Sequence, residues 1–201
     1  NDSTTGTLDI TISEGVRPIV NGVTIDSVTL SEGRFDGAAN GATADDQLIT
    51  GKVTVQAYSD PIVDVRLVLS GQVMDINGNP VTHNGETLTW QEVAGSNGHS
   101  FQAVTASGTL VLTVTLPSVP GRIEAHTQAT LDYQVTVHTN LDHGADDKLN
   151  LSLPVKVTDS DGSVSTGSTT AVITDAADPA ITAIEGVTVK ESDLNGGSGQ
   201  H

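Results

Sequence analysis

Two aspartates and a glycine stand at the tip of a predicted β-hairpin, in the run Asp159-Ser160-Asp161-Gly162. Calcium is bound by roughly six to eight oxygen atoms from carboxylates and carbonyls, and a glycine lets the backbone turn tightly around the ion. Asp159 and Asp161 can supply two of these ligands, so further ligands must come from elsewhere in the chain. The alternative is a plain turn with hydrated carboxylates, because aspartate and glycine are common turn residues. The residue types favour calcium.

The directions of the last three predicted strands indicate where this turn lies. Residues 130–137 run one way, residues 149–158 return, and residues 163–174 run forward to the exit of the domain. The turn is therefore expected at the end opposite the exit, close to the segment by which the chain enters. Glu14 in that entry segment is the predicted partner of Asp159 and Asp161.

A second calcium pattern begins at Asp75 and continues through Asn77 to Glu86, with part of the ligand spacing of an EF-hand loop. An EF-hand loop needs glycine at its sixth position, where this chain has Pro80. Asn-Gly is one of the strongest hairpin signals. A hairpin closed by Asn77-Gly78 is therefore favoured over a metal site.

The segment from residue 138 to residue 147 could be interpreted as a zinc site, because His138, His143 and nearby aspartates are possible zinc ligands. The sequence indicates no fourth ligand that would converge on these groups. A hydrogen bond within the loop is the favoured role for His143.

Motifs of catalysis are absent from the sequence: there is no Gly-x-Ser-x-Gly elbow, no His-Glu-x-x-His helix, no phosphate-binding loop and no dinucleotide fingerprint. Asp45 and Asp46 are adjacent carboxylates, but neighbouring residues of a strand point to opposite faces, and glycoside hydrolysis needs a pair across a shaped cleft. We therefore expect a protein that is not an enzyme.

The charge of the chain restricts its partners. Its 201 residues include 25 Asp and Glu against 8 Lys and Arg, which gives a formal net charge of −17. Such a charge repels nucleic acids and anionic lipids and attracts cations. With no cysteine, the chain has neither disulfides nor thiolate metal sites. With no apolar run of about 18 residues, no membrane insertion is expected.

Short stretches that alternate apolar and polar residues recur along the chain, whereas long helical periodicity is absent. Asn-Gly pairs, which favour tight hairpin turns, lie between several of these stretches. The pattern predicts an all-β chain folded as an antiparallel β-sandwich. The predicted strands are TLDITIS, GKVTVQAYS, DVRLVLSG, TLTWQEV, GTLVLTVTLP, ATLDYQVTVH, LNLSLPVKVT and STTAVITD.

The two ends of the chain have similar sequences. LDITISEGVRPIV near the start is followed by SVTLSEG, and TTAVITDAADPAIT near the end is followed by GVTVKES. A last strand, a linker and a first strand therefore occur twice, as expected for tandem repeats. The predicted organisation is a preceding repeat that closes in residues 1–17, one complete repeat in 18–178, and a following repeat that opens in 179–201 and ends in a flexible tail.

Residues 110–192 resemble the end of the tandem extender repeats of giant RTX adhesins exported by type I secretion. The resemblance depends on Leu141-Asp142-His143, on the turn from Asp159 to Gly162, and on a strand that ends in Asp-x-x-Asp-Pro at 175–179. The chain departs from the family at Ser163, where an acidic residue is common, and it lacks the glycine-rich calcium nonapeptide. The segment VMDINGNPVT is similar to a hairpin of invasin-type adhesins.

The resemblance implies an immunoglobulin-like (cadherin-like) β-sandwich with Greek-key connections, used as a monomeric, non-catalytic spacer on the surface of a Gram-negative bacterium. Its partners would be the neighbouring repeats of the same polypeptide, with Ca²⁺ at the junctions between them. Glu14, Asp159 and Asp161 would then serve the entry junction. The following junction would use three acids in the exit segment: Asp175, Asp178 and Glu191.

A different class of function is a ligand-binding module of the same adhesin. The segment from Gly33 to Gln47 has no apolar alternation and reads as a long loop, which could contact a glycan or a protein. Aromatic residues make up 2% of the chain, which argues against a surface on which sugars stack.

Overall fold

The computed structural model describes residues 16–24, 47–118, 121–143 and 148–174, and within these ranges the regular structure consists of strands without a helix. Alternation of β-branched or leucine side chains with polar ones suits a pleated surface that is buried on one face. The ten strands are β1 (Ile19–Thr24), β2 (Gln47–Gln56), β3 (Ile62–Leu67), β4 (Thr82–His83), β5 (Glu86–Glu92), β6 (Ser100–Thr105), β7 (Leu110–Thr115), β8 (Gln128–Val137), β9 (Lys148–Asp159) and β10 (Val164–Thr174).

The strands form two antiparallel sheets. One has the order β1-β2-β8-β7-β6-β5-β4, and the other has the order β10-β9-β3. An immunoglobulin domain places strands A, B, E and D in one sheet and G, F and C in the other. The ten strands follow this plan, with β4 to β6 as an additional run between the third strand and the fourth. The prediction of an all-β, immunoglobulin-like sandwich is confirmed.

The core lies between the two sheets and consists mainly of leucine, valine and isoleucine. Alternate residues of β9, including Leu151, Leu153 and Val155, are buried there. Tyr133 of β8 is also buried, and its ring occupies the space that a Cβ atom on Gly51 of β2 would need. The Tyr133 hydroxyl donates a hydrogen bond of 3.0 Å to the Thr170 carbonyl of β10, and this bond joins the two sheets.

The chain enters and leaves the sandwich at opposite ends. At the entry, the amide of Val16 donates a hydrogen bond of 3.0 Å to Ser59 Oγ, in the loop between β2 and β3. At the exit, Thr174 is the register partner of Lys148, whereas Val164 at the other end of β10 follows the turn at 159–162. The 12 residues of β9 separate the two ends by about 36 Å.

The predicted boundaries of the complete repeat, at residues 18 and 178, stay a prediction because residues 1–15 and 175–201 lie outside the described ranges. No helix long and apolar enough to cross a membrane occurs among the residues that the structure describes.

Candidate metal centre

The turn between β9 and β10 has the hairpin geometry that its sequence predicted. The Gly162 amide donates to the Asp159 carbonyl at 3.2 Å, and the Asp159 amide donates to the Ser163 carbonyl at 3.0 Å. Gly162 has φ +92°, a conformation that glycine adopts without steric cost. The Ser163 amide donates to Asp159 Oδ1 at 2.7 Å and to Asp161 Oδ1 at 2.9 Å. Both carboxylates therefore face the inside of the turn.

A third carboxylate joins them from a distant part of the sequence. Asp60 lies in the loop between β2 and β3, and the Ser160 amide donates to the carbonyl of the next residue, Pro61, at 2.9 Å. Oxygen atoms of Asp60, Asp159 and Asp161 lie within 4.8 Å of one another. Two oxygens bound to one calcium ion can be at most about 5 Å apart, since each Ca–O distance is about 2.4 Å. The spacing is compatible with a shared cation.

Burial makes this cluster unusual. Asp159 is 3% exposed, although it ends a strand at the tip of the sandwich. Its burial raises the pKa of Asp159 above the ordinary value, and the adjacent carboxylates of Asp161 and Asp60 raise it further, against the opposing effect of the Ser163 amide. The hydrogen bond with Asp159, followed by those with Ser163, lowers the pKa of Asp161. Burial and the neighbouring acids therefore make the ionised form of Asp159 less favourable than that of an exposed aspartate.

The three aspartates offer the type of ligand that a hard cation prefers. Carboxylate oxygens suit calcium, magnesium and manganese, whereas softer metals prefer imidazole or thiolate ligands. Three negative groups in one small volume repel one another, and a divalent cation would remove that repulsion. Asp60, Asp159 and Asp161 therefore form a site that could hold a metal ion.

Of the six predicted ligands, the structure brings together Asp159 and Asp161 and describes none of the others. Glu14 precedes the described residues, and the three acids assigned to the exit junction follow them: Asp175, Asp178 and Glu191. The pairing of two half-sites across domain junctions therefore stays a prediction. Asp60 was missed because nothing near it in the sequence indicates a ligand. Its loop reaches the turn through contacts between strands distant in sequence, namely the pairing of Ile62 with Asp159 and the Ser160 bond to Pro61.

The EF-hand interpretation of Asp75 does not match the contacts of its carboxylate. Asp75 Oδ1 accepts the amide of Asn77 at 2.8 Å and the amide of Asn79 at 2.7 Å. The Gly78 amide donates to the Asp75 carbonyl at 3.1 Å, and Met74 pairs with Pro80 across the turn. Asp75 therefore holds a tight turn, as the favoured hairpin interpretation predicted.

Asp142, from the motif Leu141-Asp142-His143, fixes the turn between β4 and β5. Its Oδ2 accepts the Thr82 hydroxyl at 2.6 Å and the Gly85 amide at 2.8 Å, and its Oδ1 accepts the Asn84 amide at 3.0 Å. Partial burial acts to raise the pKa of Asp142, but these three hydrogen bonds outweigh it and lower the pKa below its usual value. Asp142 therefore has a structural role.

The histidines of the proposed zinc loop are engaged in other contacts. His138 Nε2 lies 2.8 Å from Thr113 Oγ1, and His143 Nδ1 lies 3.0 Å from the Leu141 carbonyl. Within the described ranges, the group of metal-binding side chains that comes together is the cluster of three aspartates, without either histidine. The loop proposed for ligand binding, Gly33 to Gln47, falls outside the described residues except for Gln47 at the start of β2.

No protein-family model matches the chain, and no curated protein matches it. Among solved structures, the CooA pilin subunit from enterotoxigenic Escherichia coli is 14% identical with a TM-score of 0.34, over 82% of this chain and 100% of that one. Murine CRIg is 13% identical with a TM-score of 0.32, over 81% of this chain and 100% of the other.

A family 123 glycoside hydrolase from Clostridium perfringens is 17% identical with a TM-score of 0.32. That match covers 66% of this chain and 22% of the hydrolase chain, so this chain spans about a fifth of the larger protein. Likenesses of this size identify no family. The fold assignment comes from the strand order, and the properties of the site come from its own residues.

Proposed function

We propose that this chain is a non-catalytic spacer repeat of a large bacterial surface adhesin, with calcium at its entry junction. The observation that supports the proposal most directly is the position of the acidic cluster at the end of the sandwich where the chain enters. Asp60 directly follows Ser59, whose hydroxyl accepts the amide of the entering residue Val16. Entry and exit lie at opposite ends of the sandwich, so successive copies would follow one another in a line.

The residues assigned to the cation are Asp60, Asp159 and Asp161. When bound, a calcium ion would supply positive charge that neutralises these carboxylates, and backbone carbonyls or water would complete its ligands. Asp60 belongs to the loop that contacts the entry segment, and Ser160 donates to the carbonyl of Pro61 in the same loop. Ordering of the cluster therefore orders the loop that holds the entry segment. The proposed result is a stiffer connection to the preceding repeat.

The proposed partners and location follow from the same assignment. Neighbouring repeats of the same polypeptide would contact the two ends of the sandwich, and the chain would act as a monomer on the surface of a Gram-negative bacterium. The resemblance of residues 110–192 to RTX extender repeats and the net charge of −17 support these proposals. Extracellular modules bind calcium with dissociation constants of about 0.1 to 1 mM, which suits an exposed junction.

Thermal unfolding tests the calcium site. The melting temperature of the 201-residue chain would be measured in EGTA and across a calcium titration, with magnesium as the comparison ion. We expect a calcium-dependent rise, about 2.7 kcal/mol in unfolding free energy at a hundredfold excess over the dissociation constant. The rise should disappear in the double variant Asp60→Asn, Asp161→Asn. It should persist in the control Asp132→Asn, which removes an exposed carboxylate paired with Lys52 on the outer face of β2 and β8.

A tandem protein of two copies of the chain tests the spacer role separately. Small-angle scattering would be recorded in EGTA and in calcium, and the largest dimension of the particle would be compared between the two. A spacer with a calcium-stiffened junction gives an elongated particle. Addition of calcium should then increase the largest dimension of this particle, or narrow the distribution of that dimension. A compact particle, or one that calcium leaves unchanged while the single chain binds calcium, would contradict the spacer role and leave the metal site in place.

A further inference from the structure

Three Asn-Gly turns in the described residues share a chemistry that the proposed function does not use. In an Asn-Gly pair, the glycine amide nitrogen can attack the asparagine side-chain carbon. The new N–C bond forms a succinimide, the bond to Nδ2 breaks, and ammonia leaves. Water then opens the ring to aspartate or isoaspartate. The attack requires that the glycine amide lose its proton, so its hydrogen-bond partner controls the reaction.

In the turn between β4 and β5, a carboxylate holds that amide. The Gly85 amide donates to Asp142 Oδ2 at 2.8 Å, and the Asn84 amide donates to Asp142 Oδ1 at 3.0 Å. The Asn84 side-chain nitrogen lies 3.0 Å from His83 Nε2. A negative charge next to an N–H group disfavours its ionisation. Both the nucleophile and the leaving group of this pair are restrained.

The turn between β5 and β6 is protected in the same way and is also partly covered. The Gly98 amide donates to Glu92 Oε1 at 2.7 Å. Gly98 is buried beside the Arg66 side chain, and its carbonyl accepts the Leu67 amide at 2.9 Å. Asn97 itself is exposed, but hydrogen bonds at both the amide and the carbonyl of Gly98 hold the glycine that would attack it.

The turn between β3 and β4 lacks this protection. The Gly78 amide donates to a neutral acceptor, the Asp75 carbonyl, at 3.1 Å. The Asp75 carboxylate accepts the amides of Asn77 and Asn79 instead. The Asn77 side-chain nitrogen lies 3.5 Å from Asp75 Oδ2, at the long limit of a hydrogen bond. Asn77 and Gly78 are both exposed.

We propose that Asn77 is a site of spontaneous deamidation in the folded chain, and that the carboxylates of Asp142 and Glu92 protect Asn84 and Asn97. The reaction would convert a neutral side chain beside Asp75 Oδ2 into a second carboxylate. The donor that now lies next to Asp75 would be replaced by a repelling charge. Deamidation at this position therefore loosens the turn between β3 and β4 as the protein ages.

Peptide mapping by mass spectrometry tests the order of the three rates. The 201-residue chain would be incubated at mildly alkaline pH, and each Asn-Gly peptide would be followed for loss of ammonia and gain of isoaspartate. Asn77 should convert about tenfold faster than Asn84 or Asn97, the factor that corresponds to one pKa unit in a proton equilibrium. In denaturant the three rates should become similar. Equal rates in the folded chain, or the same order in denaturant, would overturn the proposal.

Two variants test the protecting carboxylates independently of the fold as a whole. Glu92→Gln keeps an oxygen acceptor for Gly98 but removes the charge, and it should accelerate conversion of Asn97 alone. Asp142→Asn should accelerate conversion of Asn84 alone. Asp132→Asn is the control and should change no rate. If Asp142→Asn proves unfolded by circular dichroism, Glu92→Gln decides. An unchanged rate at Asn97 in folded Glu92→Gln would overturn the protecting role.

Discussion

Asp159 ends β9 and Asp142 lies in the loop that follows β8. The surroundings of these two acids have opposite effects on the pKa of the carboxyl group. Asp142 is surrounded by donors: a hydroxyl from Thr82 and the amides of Asn84 and Gly85. Asp159 accepts the Ser163 amide, but its other polar neighbours include the carboxylates of Asp60 and Asp161. The protein supplies hydrogen-bond donors to the carboxylate of Asp142, whereas the carboxylate of Asp159 lies beside further negative charge.

The difference shows how to separate structural acids from candidate ligands. Hydrogen bonds to the ionised form stabilise it and lower the pKa, as they do for Asp142. Burial beside other acids destabilises the ionised form and raises the pKa, as it does for Asp159. The first arrangement needs no further partner. The second would be stabilised by a bound cation, so it is the place to look for metal.

Removal of the Asp142 carboxylate should have the largest effect on the stability of the isolated chain. Asp142→Ala removes three hydrogen bonds and leaves the amides of Asn84 and Gly85 without their acceptor. We expect a loss of about 2–4 kcal/mol in unfolding free energy, because bonds to a charged group contribute about 1.5–3 kcal/mol each and do not add fully. Urea unfolding in EGTA measures it. A loss below that of the exposed control Asp132→Ala would refute the structural role.

Asp159→Asn should act in opposite directions with and without calcium. The variant keeps the oxygen that accepts the Ser163 amide and removes the buried charge. In EGTA at neutral pH the melting temperature should rise, because the repulsion from Asp60 and Asp161 is gone. At a hundredfold excess of calcium over the dissociation constant, the parent should gain about 2.7 kcal/mol in unfolding free energy, and the variant should lack this gain. A variant that is less stable than the parent in EGTA would show that the charge of Asp159 is already compensated.

The two acids should give opposite dependences on pH in EGTA. The raised pKa of Asp159 lets the folded chain keep a proton that the unfolded chain loses near the ordinary value of 3.8. Stability therefore falls as pH rises from 3.8 through the raised pKa. The lowered pKa of Asp142 contributes stability above 3.8, and this is lost as pH falls through the lowered value.

Unfolding curves from about pH 3 to about pH 7 measure these dependences. Asp159→Asn should remove the decline on the side of higher pH, and Asp142→Asn should reduce the decline on the side of lower pH. If the two variants altered the same part of the curve, the contrast between the acids would be wrong.

Asp60→Asn should have the smallest effect of the set. Asp60 is only partly buried and belongs to a loop, so its removal disturbs the turn at 159–162 little. We expect the midpoint of the calcium titration to rise about tenfold, which corresponds to about 1.4 kcal/mol of binding free energy. The stability in EGTA should stay close to that of the parent. An unchanged calcium midpoint would exclude Asp60 from the site.

The sequence contained enough information for the fold because local alternation and turn residues agree with the final strands. LNLSLPVKVT covers β9 almost completely, STTAVITD covers residues 168–174 of β10, and the glycine of the turn between them is explained by its positive φ. The pattern gives no strand signal at Ser100–Thr105, because this stretch is short and follows a run of turn residues. Thr82–His83 is too short for a pattern to show.

The candidate site was predictable only in its local part. Asp159 and Asp161 are two residues apart, so their meeting at a turn follows from the sequence. Asp60 meets them because β3 pairs with β9, and the sequence does not specify which strand of one sheet lies beside which. The structural role of Asp142 depends in the same way on contacts with Thr82 and Gly85, about 60 positions earlier.

The points at which the chain enters and leaves the sandwich determine how the sandwich would respond to tension. A pull applied to Val16 and Thr174 acts along the length of the strands, because these residues lie at opposite ends of the sandwich. The 11 residues of β10 are paired with β9 along their whole length, so the load is applied in shear and shared by the hydrogen bonds of the ladder. Such a strand resists force until many bonds break together, whereas a strand pulled sideways opens one bond at a time.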